Sequence, residues 1–344
     1  MRRAVPTLVV LFGIVALAVW LNSNPGTRMS PPDPVKTAPI IKEERIPRLK
    51  KQIAEQEIES AQAVAKYIPS SKARIDDLDS PVIDLLRRLP GVVQVDLGVA
   101  AKKPASRIVH LRDYHSVSKE LYALDMKQAH GRELTAAEIE WLHQELLLEV
   151  ELVQVEQIAV LRCLIKHHGL KRVFSEGYSP DELKTYQEMI AVLRSMEKEQ
   201  IPQLRKQLEE VRKLLDGATG EKKEKAEAIE AQLVTMLDDH KHRLLEMGAA
   251  GRLLIAGELD DVLALEDADA LEKAKPISPS GNVKFDSQKL ELRHDAQVKA
   301  IMKEGPVAVI VLGGANDLTK SVQRRLRVRP PLPSRSRLLY DGRS

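Results

Sequence analysis

Three stretches, far apart in the chain, join an apolar run of strand length to polar side chains. They are Arg107 to His115 (RIVHLRDYH), Lys171 to Tyr178 (KRVFSEGY) and Val307 to Asp317 (VAVIVLGGAND). In an open α/β sheet the carboxyl ends of neighbouring strands line one crevice, and ligands bind there. That topology would gather Asp113, His115, Glu176, Asn316 and Asp317. Imidazole and carboxylate are common ligands of divalent metals, and a catalytic site leaves a coordination position for water. Such a water becomes a usable nucleophile near neutral pH. Glu176 would serve as general base if burial raised its pKa. Arg293, in the helix before the third stretch, would clamp an anionic group. No HExxH or CxxC pair supports this set. The same residues also read as helix caps and ion pairs, Asp113 with Arg112 and Glu176 with Arg172, and on spacing alone that second reading is the stronger.

The motifs shift the balance. The chain resembles the Tiki/TraB, erythromycin-esterase and ChaN-like superfamily between Arg107 and Val322, outside a helical insertion. That family has a strand ending G-E-x-H, a later strand ending in Glu, and a last strand ending G-G-A-H-D-L. Here the first is Arg112-Asp113-Tyr114-His115, with Asp for Glu and Arg for Gly. The second is Phe174-Ser175-Glu176-Gly177. The third is Gly313-Gly314-Ala315-Asn316-Asp317-Leu318, with Asn316 where the family has His; Arg293 also sits where the family often has Arg. The resemblance implies an α/β fold and one of several activities: metal-dependent proteolysis, other hydrolysis, or haem binding. It implies Asp113, His115, Glu176, Asn316 and Asp317 around a divalent metal such as manganese or zinc, with Glu176 and Arg293 catalytic. An amide oxygen is a weaker ligand than imidazole. Asn316 therefore implies either an oxygen-preferring ion or a site that has lost catalysis.

The elements that would position these residues can be read from the pattern. A chain of 344 residues with aromatics at 3% and a net charge of only +3 suits long, solvated helices around one large or two ordinary domains. Thr135 and Glu138 form a capping box at the start of a long helix that ends at Gly169. This helix leads into the second strand, giving a β-α-β unit. The expected fold is α/β: a central mixed or mostly parallel sheet with flanking helices, plus an inserted long antiparallel helical hairpin over residues 180–247. The hairpin seam is Leu204, Leu208, Val211 and Leu215, returned by Ala226, Ile229, Leu233 and Met236, and Pro202 should bend its first arm. Arg252 to Glu258 and Val262 to Glu266 read as further short strands or strand-turn pieces. Lys275 to Ser287 is a loop long enough to lie over a site. Cys163, the single cysteine, reads as a packed small hydrophobe.

The flanks carry the remaining expectations. Residues 1–24 hold basic residues followed by an apolar run from Ala4 to Leu21, which reads as a cleaved signal peptide or an uncleaved membrane anchor. Either would make the protein exported, as a membrane-anchored or periplasmic chain. Residues 25–47 form a Pro-rich linker, 48–323 the body, and 324–344 a basic tail suited to anionic lipid or an envelope polymer. The tail lacks interleaved aromatics, which argues against nucleic acid. Three functions follow: a metal-dependent hydrolase, a catalytically inactive binding module with a haem, ligand or envelope partner, or a helical envelope protein. Two arms with one seam each fit a self-paired hairpin best; the alternative is a homo-oligomer or partner contact through it.

Overall fold

A computed structural model describes residues 44–69, 74, 75, 77, 82–92, 94, 107–114, 117–274, 286–305, 307–313 and 316–328. Four apolar runs form one sheet: β1 (Arg107–Asp113), β2 (Arg172–Ser175), β3 (Asp261–Ala264) and β4 (Val307–Gly313). The order is β1-β4-β2-β3 and every pairing is parallel, so no mixed pairing occurs among them. Parallel neighbours need long crossovers, which helices provide. The first helices are α1 (Arg45–Lys66), α2 (Val82–Leu86), α3 (Lys119–His130), α4 (Ala136–His168) and α5 (Leu183–Ser195). Next come α6 (Ile201–Leu215), α7 (Glu221–Glu246), α8 (Gly248–Ile255) and α9 (Ala268–Ala274). The last two are α10 (Ser287–Glu304) and α11 (Thr319–Val328).

The period-two alternation of the strands divides the core into two layers. Val109, Val173, Val262, Val309 and Val311 face α4, α5 and α8, and they pack with Leu161, Leu164, Tyr186, Ile190 and Leu253. Phe174, Ala308, Ile310 and Leu312 face the other way, onto Val298, Ile301 and Leu318. The all-apolar sequence of β4 follows from this, since helices cover both of its faces.

The long crossover α4 is bounded as its caps demand. Glu138 N–H donates to the Thr135 hydroxyl at 3.2 Å, and Thr135 N–H donates to the Glu138 carboxylate at 2.9 Å. Gly169 ends the helix at φ +73°, a left-handed conformation that favours glycine. α1 lies along α4 through Leu49, Ile53, Leu148 and Val155, and its Tyr67 hydroxyl lies 2.8 Å from His168 Nε2. α1 is thus packed onto the body.

Several expectations are corrected. Residues 252–255 form the last turn of α8, not a strand. A short apolar run fits either element, and here it continues a helix from Gly248. Among the described residues no helix is long and apolar enough to cross a membrane, against the expected membrane anchor, whose own residues 1–24 are not among them. The apolar run from Ala4 to Leu21, the 25–47 linker up to residue 43, the 275–285 loop and residues 329–344 lie outside the described residues. The basic segment also starts later than expected. Arg324 belongs to α11 and donates to Glu291 at 2.8 Å and Asp295 at 3.0 Å on α10.

α6 and α7 run side by side in opposite directions: Arg212 pairs with Glu230 at 2.7 Å, and Glu197 with His240 at 2.7 Å. One π-helical turn, Met196–Gln200, precedes Pro202 in the first turn of α6. A wider turn accommodates the N–H that proline lacks. α5 is a different matter, since Tyr186, Ile190 and Leu193 sit in the main core. α5 thus belongs to the body, and any separable part would start after it. Replacing residues 204–237 by a short Gly/Ser linker should leave one cooperative urea transition. Extending the replacement to 183–246 should abolish it, because each lost core side chain costs about 2–5 kcal/mol against a total of about 5–15 kcal/mol.

Candidate functional site

Polar side chains meet at the carboxyl ends of β2, β3 and β4, and α10 supplies their cation. Glu176 is the first residue past β2, and its N–H donates to Val311 O at 3.2 Å. Glu266 lies two residues past the end of β3. Arg293, Gln297 and Ile301 recur at four-residue steps on α10, so one helix face presents a cation, an amide and an apolar anchor to the sheet.

Arg293 is 2% exposed and donates to Glu176 Oε1 at 2.6 Å and Glu266 Oε1 at 2.6 Å. Its Nε donates to Glu266 Oε2 at 3.0 Å, and Gln297 Nε2 adds a bond to Glu266 Oε1 at 2.9 Å. The other Glu176 oxygen accepts the Gly313 N–H at 2.6 Å. Asn316 Nδ2 donates to Glu176 Oε1 at 3.2 Å, and its Oδ1 lies 3.0 Å from His294 Nε2. The amide must turn its nitrogen to the carboxylate. Its oxygen therefore accepts, and His294 carries the proton on Nε2.

Burial opposes the charge on Arg293, but the Glu176 and Glu266 carboxylates more than offset it, holding the guanidinium above its ordinary value. Burial pushes His294 below the usual imidazole range, helped by Arg293 and opposed by the Asn316 bond. Burial likewise lowers His110, whose Nε2 lies 2.9 Å from Leu312 O. Cys163 is fully buried, and burial pushes its thiol up to about 11, so it is a packing residue.

The expected metal set separates. β1 alternation turns Asp113 toward α4, where Gln157 Nε2 donates to it at 2.9 Å. Glu176 turns toward α10, on the opposite face of the sheet. Both Glu176 oxygens already accept strong donors, and the Asn316 oxygen is directed at His294. Asp317 is exposed and accepts the Thr319 N–H at 2.9 Å, capping α11; the Thr319 bonds hold its carboxyl below the usual range. His115 lies outside the described residues. Among the described residues, no group of three or more His, Cys, Asp and Glu side chains could hold a metal ion. Asp113, Glu176, Asn316 and Asp317 thus do not fit a divalent cation in this arrangement. Arg293 is enclosed by carboxylates, not turned to a crevice, so the expected substrate clamp is replaced by an internal ion pair.

Sequence reasoning brought Glu176, Asn316 and Arg293 to one place, and it missed Glu266, His294 and Gln297. An acid directly after an apolar run, as in DVLALE, is the signal that would have found Glu266. No protein-family model, curated protein or solved structure matches this chain.

The two lowered imidazoles make stability pH-dependent. Their folded pKa values lie below the unfolded value of about 6.5. Below that pH the unfolded chain takes up protons that the folded chain refuses, so stability present above about 6.5 is lost as pH falls. His294→Gln keeps a donor for Asn316 and removes one titration. Urea unfolding between about pH 7.5 and 5.5 should show a shallower loss for this variant. Equal slopes would mean that His294 is not held neutral.

Proposed function

We propose that this chain is a non-catalytic binding module: an α/β body locked at its strand ends, presenting the antiparallel pair α6 and α7 to a partner. One observation carries the reading. At the strand ends, where ligands of such sheets are bound, Glu176, Glu266, Arg293 and Asn316 make their strong bonds to one another and to the Gly313 N–H. A carboxylate bonded this way is a poor metal ligand, and an arginine enclosed this way is a poor substrate clamp.

The competing reading is the metal-dependent hydrolase of the resembled superfamily. It is favoured by the convergence of Glu176, Asn316 and Arg293 at the carboxyl ends of the strands. Calorimetry with zinc and with manganese on the full chain decides between them. The binding-module reading expects no one-to-one high-affinity uptake in wild type, and none in Glu176→Gln or His115→Ala. Tight stoichiometric binding that Glu176→Gln or His115→Ala abolishes would reinstate the hydrolase.

A further inference from the structure

The base of the α6–α7 pair holds a cation without an acid partner. Arg252 on α8 is partly buried, and among the described residues its one hydrogen bond runs to Gln154 Oε1 at 3.3 Å. Burial pushes its pKa below the ordinary arginine value. Glu151 of α4, Glu57 of α1 and Glu197 of the π-helical turn oppose that lowering, Glu151 most, and Arg162 of α4 adds to it. Glu151 is already taken, because Lys241 of α7 reaches its Oε2 at 2.7 Å. Glu197 is held by His240 at 2.7 Å, and Arg162 by Glu258 at 2.6 Å. Glu151 and Gln154 are three residues apart on α4 and face the same way. Gln154 therefore seats Arg252 beside Glu151, while its Nε2 donates to Leu245 O at 2.8 Å.

The two candidates for Glu151 are unequal. The Glu151 side chain is 6% exposed and that of Lys241 is 50% exposed. A lysine is a point charge on a flexible stem, whereas a guanidinium grips a carboxylate with two parallel bonds. A charge taken out of water without a partner is costly, and pairing Arg252 with Glu151 recovers that cost. Lys241 returns to water at little loss, as half-exposed ion pairs contribute little.

We propose that Arg252 and Lys241 compete for Glu151, so that the base of the α6–α7 pair has two arrangements. In one, seen here, Lys241 latches α7 to α4. In the other, Arg252 of the body takes Glu151 and α7 is released. The pair then tilts where its two connections to the body leave α-helical geometry, at the π-helical turn Met196–Gln200 and at Gly248, φ +66°. At ~1.5 Å per residue, α7 from Lys241 back to Glu221 is about 30 Å long, so a small tilt at the latch is a large displacement at the tip. This rests on the binding-module reading and names its regulation: a partner that prefers the released pair draws the equilibrium toward Arg252–Glu151.

Double electron–electron resonance on the full chain, with nitroxides at Thr219→Cys on the hairpin tip and Lys171→Cys beside β2, tests this. Both positions are exposed, and Cys163 is fully buried and stays unlabelled. The otherwise unchanged chain should show two distances, the main one matching this structure. Arg252→Met should lose the second distance, because nothing then displaces Lys241. Lys241→Met should make the second distance the main one, and a half-exposed lysine is not needed for folding. A single distance in the otherwise unchanged chain overturns the proposal. So does a second distance that survives Arg252→Met, or a distribution that Lys241→Met leaves unchanged. Metal calorimetry, which decides the binding-module reading, is independent of these distances, so the two fail separately.

Discussion

One buried guanidinium between two buried carboxylates holds the strand ends together. Arg293, Glu176 and Glu266 come from α10, the end of β2 and the end of β3, and Gly313 of β4 joins them through its N–H. Taking such ions out of water costs several kcal/mol each, and the cost is recovered only when every lone pair and proton finds a partner. Gln297, Asn316 and His294 supply those partners. Such a network tolerates little rearrangement, because leaving one of its buried charges uncompensated costs about 3–5 kcal/mol.

The alternation of a parallel sheet then decides which side chains can join. β4 sends Val309 and Val311 to one layer and Ile310 and Leu312 to the other. The same rule turns Asp113 to Gln157 of α4 and Glu176 to Arg293 of α10. Two acids at the ends of the strands on either side of β4 look like a ligand pair in one dimension. On a pleated surface they belong to different cores.

How much was legible follows from these rules. β1, β2 and β4 could be read because their apolar runs are of strand length and end in polar residues, and α4 because Thr135, Glu138 and Gly169 mark its ends. Residues 252–255 were misread because a short apolar run, Leu253 to Ala256, has no period of its own. α5 was assigned to the hairpin because its charged residues mask Tyr186, Ile190 and Leu193, which only tertiary packing reveals as core. The strand-end cluster was half legible. Glu176 and Arg293 stood out through the family resemblance, whereas Glu266 and Gln297 carry no motif and gain meaning only from adjacency to Arg293. The role of the cluster was not legible, because a short sequence motif does not say whether a carboxylate faces a metal or a guanidinium.

The central claim is that Glu176 exists to compensate Arg293. A double-mutant cycle of Glu176→Gln and Arg293→Met, measured by urea unfolding, tests it most directly. If the claim holds, each single change destabilises by about 3–5 kcal/mol and the double change costs clearly less than their sum, because removing one charge relieves the isolation of the other. Strictly additive losses, or a Glu176→Gln variant as stable as wild type, would contradict the account.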